Sequence, residues 1–581
     1  HRFVNNVLDL VASYTAPGTS LSKTYQYDFD KRITKSISEE SSNTDFIYGS
    51  AHLTEDNNKL INLNTTSLSF EYGYHPASKL LEAVRSSDQI TIAYNRAADL
   101  LLSKTYSERF PASVQYTYNP AGLLQTSEGI NNQVINQSFD LDKALIQNGD
   151  LIIERSASSV LPKKKILGNF VESISYSTFG EISLREIKHS GNLIFSETYS
   201  RDKLGRITQK NILKNNVNTS QAFSYDLNGR LKTVSENGVL KNTYNYDAQG
   251  NRLSSDNFAA SYNSKDRLIS YTKNAQTINY NYSEDDSLVQ KNNITIGTQT
   301  TYRISQLNAL QAVEIVSPSG TKNITYWIDG ENKRSAKLVN GIVQRYFIYD
   351  KFARLIAELA PNFSVKSRFV YATQGHSPDY MIHNGQNYYF LKDQLGSILQ
   401  VLNSSGVVIQ DISYDEFGIV LSDTNPGFQP FGFAGGHYDF ETGLVRFGAR
   451  DYDAEIGRWL VRDPIGFNGG DTNLFAYVNN DPVNFIDPEG KSPYLILLPT
   501  LVFEISFDIT TAIIELANGR SFSEIKRIIK ERSPVRNIVS TGNDIVFGPL
   551  SPIVNAPLDP VFLETYIKIK NNQKKTEEAC D

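Results

Sequence analysis

Tyr225-Asp226-Leu227-Asn228-Gly229-Arg230-Leu231 decides the fold, because the chain keeps returning to this phrase. Tyr246-Asp247-Ala248-Gln249-Gly250-Asn251-Arg252-Leu253 is the next copy. Looser copies begin at Tyr27, Tyr118, Tyr262, Tyr349 and Tyr414. In each, an aromatic residue closes one strand. Asp or Asn, a polar pair and Gly make a turn, and a basic then an aliphatic residue open the next strand. Stretches such as Thr277-Ile278-Asn279-Tyr280-Asn281-Tyr282 fill the intervals with strand-period alternation. A unit of about twenty residues makes one hairpin, and a lone hairpin is marginal in water, so successive hairpins must pair edge to edge. A long array of this kind coils, because sheets twist with one hand. A sandwich or a propeller is the alternative, and the irregular spacing argues against equal propeller blades.

Composition narrows the class. The chain has 581 residues, a net charge of -6 and no basic excess that would imply a global nucleic-acid partner. Its 33 Tyr and 30 Phe suit strands. The single Cys580 excludes an internal disulfide framework. No apolar run reaches the length of a membrane-spanning helix. The nearest, Pro493 to Phe503, is followed by Glu504 and Asp508. The chain begins with His1 rather than Met, which reads as a processed or truncated end.

Residues 388 to 490 change character. Tyr388-Tyr389-Phe390-Leu391-Lys392-Asp393-Gln394-Leu395-Gly396-Ser397 comes first, then Phe433-Ala434-Gly435-Gly436-His437-Tyr438-Asp439. Arg450-Asp451-Tyr452-Asp453, Gly457-Arg458-Trp459 and Asp463-Pro464-Ile465-Gly466 follow, and Asp481-Pro482 and Asp487-Pro488-Glu489-Gly490 close the run. Asp-Pro-x-Gly matches a type I turn position by position, so each Asp taken alone reads as a turn cap. Arg450 taken alone reads as one half of a surface or interstrand salt bridge. No zinc-protease, Cys-x-x-Cys or phosphate-loop phrase occurs. His437 has no ligand spacing around it and reads as structural.

The repeats resemble the YD repeats of the Rhs, teneurin and insecticidal toxin-complex C-subunit families over about residues 20 to 490. The run from 388 to 490 resembles the RHS repeat-associated core domain. Two departures stand out: Lys392-Asp393-Gln394 replaces a His-containing phrase, and Lys491 stands where Leu or Met is usual. The resemblance implies a mainly β fold, a spiralling sheet forming a hollow, cocoon-like shell. It divides the chain into a YD-repeat shell (1–387), a core domain (388–490) and a variable effector segment (491–581).

It also implies a single-turnover, aspartic-type cut near residue 490. Asp463 and Asp487 would be the carboxylates, Arg450 would hold one of them, and the bond would be Gly490–Lys491 or Lys491–Ser492. The chemistry is consistent, because two close carboxylates cannot both ionise easily, so one is left as base and one as acid. Asp481 is an alternative carboxylate. No cofactor or metal is called for.

The expected partner is the chain's own C-terminal segment, with secretion machinery and an immunity protein beyond it. The expected location is secreted or cell surface. The rival reading is a surface adhesion protein that binds glycans through outward Tyr clusters and makes no cut. After Gly490 the repeat phrase stops. Ser521-Phe522-Ser523-Glu524 reads as a capping box opening a helix through Ile525, Ile528 and Ile529, which predicts a small, mainly helical segment. Its target is not legible, and it contains no His to serve as a nuclease base.

Overall fold

The YD phrases whose turns are described build the same turn. Asp226 Oδ1 accepts hydrogen bonds from the Asn228 and Arg230 main-chain N–H groups, at 2.9 and 3.0 Å. Its Oδ2 takes the Arg230 Nε–H at 2.7 Å. Gly229 closes the turn at φ +84, a left-handed conformation that suits Gly. Tyr225 sits at a bulge opposite Leu231 and sends its hydroxyl back to the Ile207 carbonyl at 2.6 Å. Tyr246, Tyr262, Tyr349 and Tyr371 donate in the same way to the carbonyls of Leu231, Arg252, Arg334 and Leu355. The Arg206 guanidinium lies 4.5 Å from the Tyr225 ring, and Arg230 lies 4.6 Å from Tyr246. The phrase is therefore a clamp between neighbouring hairpins as well as a turn.

The computed structural model describes residues 60–491 apart from short stretches, with separate strands before residue 60. Beyond 491 it describes only 494–495, 538–541 and 544–547. The turn of the first copy (residues 28–32), the apolar run from Ile496 to Phe503, the helix expected from Ser521 and Cys580 lie outside the described residues. The described tail elements are short strands: Tyr494–Leu495, and an antiparallel pair of Ile538–Thr541 with Asp544–Phe547.

The repeats form two long antiparallel meanders of 23 and 18 strands, each strand pairing with its sequence neighbour. The array coils so that early strands face late ones. Phe70, Ile92, Tyr106 and Val114 share one apolar core with Ile324, Phe347, Ile356 and Phe390. Buried polar pairs bridge the same walls. Lys104 Nζ meets Glu331 at 2.7 Å, and Lys165 Nζ meets Glu172 at 2.7 Å and Asp379 at 3.2 Å. Such pairs add little net stability, but stranding one partner is costly, so they fix how the walls register. A cavity of about 880 Å³ remains between the walls, lined by Phe70, Tyr349, Phe431, Arg446 and Lys491 among others. The result is a spiralling β-shell.

Residues 437–459 form a separate four-stranded sheet of His437–Asp439, Leu444–Phe447, Arg450–Asp453 and Arg458–Trp459. Asp451 fastens it to the wall by an ion pair to Arg334 at 3.0 Å and, within the sheet, pairs with Arg446 at 2.7 Å. Removing the turn carboxylate should hurt more than removing one hydroxyl. Asp226→Ala is expected to lower stability by about 2 kcal/mol and Tyr225→Phe by about 1 kcal/mol, read by urea unfolding. Equal, negligible effects would contradict the clamp.

Candidate active site

Arg450 opens its strand right after the tight turn Phe447-Gly448-Ala449, opposite Phe447 in register. Its guanidinium is buried and lies 4.1 Å from the Trp459 ring. Phe447, Tyr452 and Tyr477 pack around that tryptophan. This aromatic bed leaves the guanidinium edge as the usable face.

Asp463 and Asp487 each start the turn their phrase predicts. The Gly466 N–H donates to the Asp463 carbonyl at 3.1 Å, and the Gly490 N–H to the Asp487 carbonyl at 3.2 Å. Both side chains then converge on Arg450. Its Nη2 lies 2.8 Å from Asp463 Oδ2 and 3.1 Å from Asp487 Oδ2. The turn reading and the site reading hold together: Oδ1 of each Asp accepts a main-chain N–H of Ile465 or Lys491, and Oδ2 faces inward to Arg450.

Two further contacts involve the chain at residue 490. Arg450 Nε donates to the Gly490 carbonyl at 2.7 Å. The Lys491 N–H donates to Asp487 Oδ1 at 3.0 Å. One peptide bond, Gly490–Lys491, is thus held at its oxygen by a cation and at its nitrogen by a carboxylate. The Ala449 N–H fixes the preceding Glu489 carbonyl at 2.8 Å. Past this point the chain turns back, and Tyr494–Leu495 pairs antiparallel with Phe485–Ile486. Ser492 lies outside the described residues.

A small cavity of about 20 Å³ is lined by Arg450, Asp463, Gly469 and Asp487 among others. About 10–15 Å³ by this measure holds one water, and the lining is polar. Burial pushes Asp463 up to about 6, against the opposing pull of Arg450 and with a smaller upward push from Asp487. A carboxyl with that value is suited to exchanging a proton near neutral pH.

The structure corrects two expectations. Asp481 is not part of the cluster. Its carboxylate holds Asn484 Nδ2 at 2.9 Å, and Asn484 in turn accepts from the Ile207 N–H at 2.8 Å and donates to the Tyr225 hydroxyl at 2.8 Å. Asp481 thus helps dock the segment around Asn484 on the repeat wall. Arg450 is not a surface or interstrand ion pair, because it is buried and shared between two carboxylates on separate turns. His437 packs edge-on against Phe347 at 4.6 Å. Lys392, in the phrase that departs from the family pattern, is buried against Asp379 at 3.4 Å and the Ser377 carbonyl at 3.2 Å. Sequence reasoning missed Trp459 and Gly469. The available signals were an aromatic beside an Arg phrase and a Gly-Gly pair after Asp463.

The Teneurin YD-shell family model matches residues 6–483, and the chain belongs to that family. Asp487, Gly490 and Lys491 lie past the matched residues. The chain is 26% identical over 516 residues to teneurin-3 of Danio rerio, covering 79% of this chain and 19% of that protein. It is 29% identical over 288 residues to the tRNA3(Ser)-specific nuclease WapA of Bacillus spizizenii, covering 47% and 12%. The crystal structure of TcdB2-TccC3-TEV superposes with a TM-score of 0.61 at 14% identity, covering 83% of this chain and 28% of that one. The chain therefore spans only a minor part of these relatives' length. Among the described residues, no helix is long and apolar enough to cross a membrane.

The geometry makes Arg450 the counter-ion of two carboxylates. Arg450→Met should cost about 3 kcal/mol, because it strands buried charge. The loss should shrink as pH falls through about 6, where Asp463 takes up a proton. Urea unfolding of both chains on either side of that pH checks this, and a pH-independent loss would contradict it.

Proposed function

We propose that this chain is the shell and release device of a toxin-delivery protein. In this reading residues 1–387 are the YD wall, residues 388–490 are a self-cleaving core domain and residues 491–581 are the effector segment housed by the wall. The observation that carries it is the grip on one peptide bond: Arg450 Nε on the Gly490 oxygen and Asp487 Oδ1 at the Lys491 nitrogen.

The chemistry is hydrolysis in cis. A water between the carboxylates gives a proton to Asp463 and attacks the Gly490 carbonyl carbon. Arg450 stabilises the oxyanion that forms on the Gly490 oxygen. The proton reaches the Lys491 nitrogen through Asp487, the C–N bond breaks, and a Gly490 carboxylic acid and a Lys491 amine result, the acid's proton then passing to the amine to leave carboxylate and ammonium. The reacting bond is tethered to its own catalyst, which supplies a high effective concentration and limits the reaction to one turnover.

The likeness to a bacterial nuclease supports a toxin-shell role for the chain. Export to the cell surface or outside, delivery to a competing cell and an immunity protein belong to the same proposal. The adhesion reading requires outward tyrosines, and among the residues whose side chains are described no Tyr is exposed.

Intact mass spectrometry of the wild type beside Asp463→Asn and Asp487→Asn tests the cut. The expected outcome is a wild-type chain split between Gly490 and Lys491 and both variants whole. With freshly synthesised chain, the wild-type rate should rise as pH rises through about 6, because the base form of Asp463 fills over that range. A whole wild type, or variants cut like the wild type, would overturn the proposal.

A further inference from the structure

Gly469 ends the short 3-10 turn Gly466–Gly469 and lines the small cavity beside Arg450, Asp463 and Asp487. A methyl group placed on it would stand 3.0 Å from Asp463 Oδ2 and 3.0 Å from the Lys491 carbonyl oxygen. The absence of a side chain there separates the carboxylate from the main chain just past the scissile bond. Two more close approaches press on the same segment. A methyl on Gly490, at φ +63, would overlap the Phe447 carbonyl oxygen and stand 2.9 Å from the Arg450 nitrogen. A methyl on Gly448 would overlap the Glu489 carbonyl.

The side chain after the bond is treated differently. Lys491 is exposed and borders the larger cavity. Its side chain makes no hydrogen bond or ion pair among the described residues, and only its main-chain N–H enters the site.

We propose that the site selects its bond by main-chain clearance: Gly469 is a positioning residue that keeps the hydrolytic water's place open, and the side chain at 491 is not read. This rests on the cleavage reading above and adds its specificity. Gly490 seats the acyl side, because neither the backbone conformation nor the space admits a side chain. On the leaving side the contact is a main-chain N–H, which every residue but Pro supplies. A Lys at 491 does not impair the bond.

The test compares cleavage of freshly synthesised full chain in the wild type, Gly469→Ala, Gly470→Ala and Lys491→Leu. Gly470, at φ +83, is the control for strain in the same turn, because Gly470→Ala strains the backbone while its methyl meets nothing within 4 Å. Gly469→Ala should cut about a hundredfold more slowly, the scale of a misplacement near 1 Å. Its pH midpoint should move upward, because the methyl excludes water from around Asp463. A purely structural role would leave that midpoint in place. Gly470→Ala and Lys491→Leu should stay within about threefold of the wild type. Wild-type cutting with Lys491→Leu uncut, or Gly469→Ala cutting at the wild-type rate, overturns the inference. An uncut wild type overturns the cleavage reading itself, and this inference with it.

Discussion

A buried guanidinium must find acceptors or the fold loses several kcal/mol, and Arg450 finds them at once in two carboxylates and the carbonyls of Gly490 and Leu474. Asp463 and Asp487 take its Nη2, and the Gly490 carbonyl takes its Nε. These groups come from separate turns, so the guanidinium fixes where the turns lie relative to one another. The same requirement holds the segment after Pro488 against the Phe447–Arg450 hairpin, with the Ala449 N–H on Glu489 closing the fit. A charge that cannot be left unpaired thus polarises the Gly490 carbonyl, the nearer of the two carbonyls it bonds.

The repeat array supplies the platform. Each YD turn joins two strands, and each YD tyrosine joins that hairpin to an earlier strand through a carbonyl. Local clamps of this kind let a long sheet coil without a conventional layered core. The coil then brings residues far apart in sequence into contact, as Tyr244 with Glu416 and Lys210 with Gln394. The four-stranded sheet and the segment after it dock on this wall through Asp451 and Asn484, so the turns of Asp463 and Asp487 stand on a rigid support rather than on free loops.

Much of this was legible in the sequence. The phrase at Tyr225 to Leu231 specifies strand, turn and strand by residue type, and the structure forms them so. Arg450, Asp463 and Asp487 were singled out, and the structure brings them to one point. The choice between Asp481 and Asp487 was not legible. Both precede Pro, and only tertiary packing turns one carboxylate toward Arg450 and the other toward Asn484. Gly469 was not legible either, because a glycine required for clearance has the same sequence as one required for a turn. The wall-bridging ion pairs were hidden for a similar reason: Lys104 and Glu331 read as ordinary strand and turn charges until the coil superposes them.

The most direct test of the central claim is to synthesise the chain in water enriched in heavy oxygen and weigh the shell fragment. Hydrolysis at this site predicts a fragment ending at Gly490 whose new carboxylate carries one heavy oxygen from solvent. A fragment ending elsewhere, or one ending at Gly490 without solvent oxygen, would contradict the account.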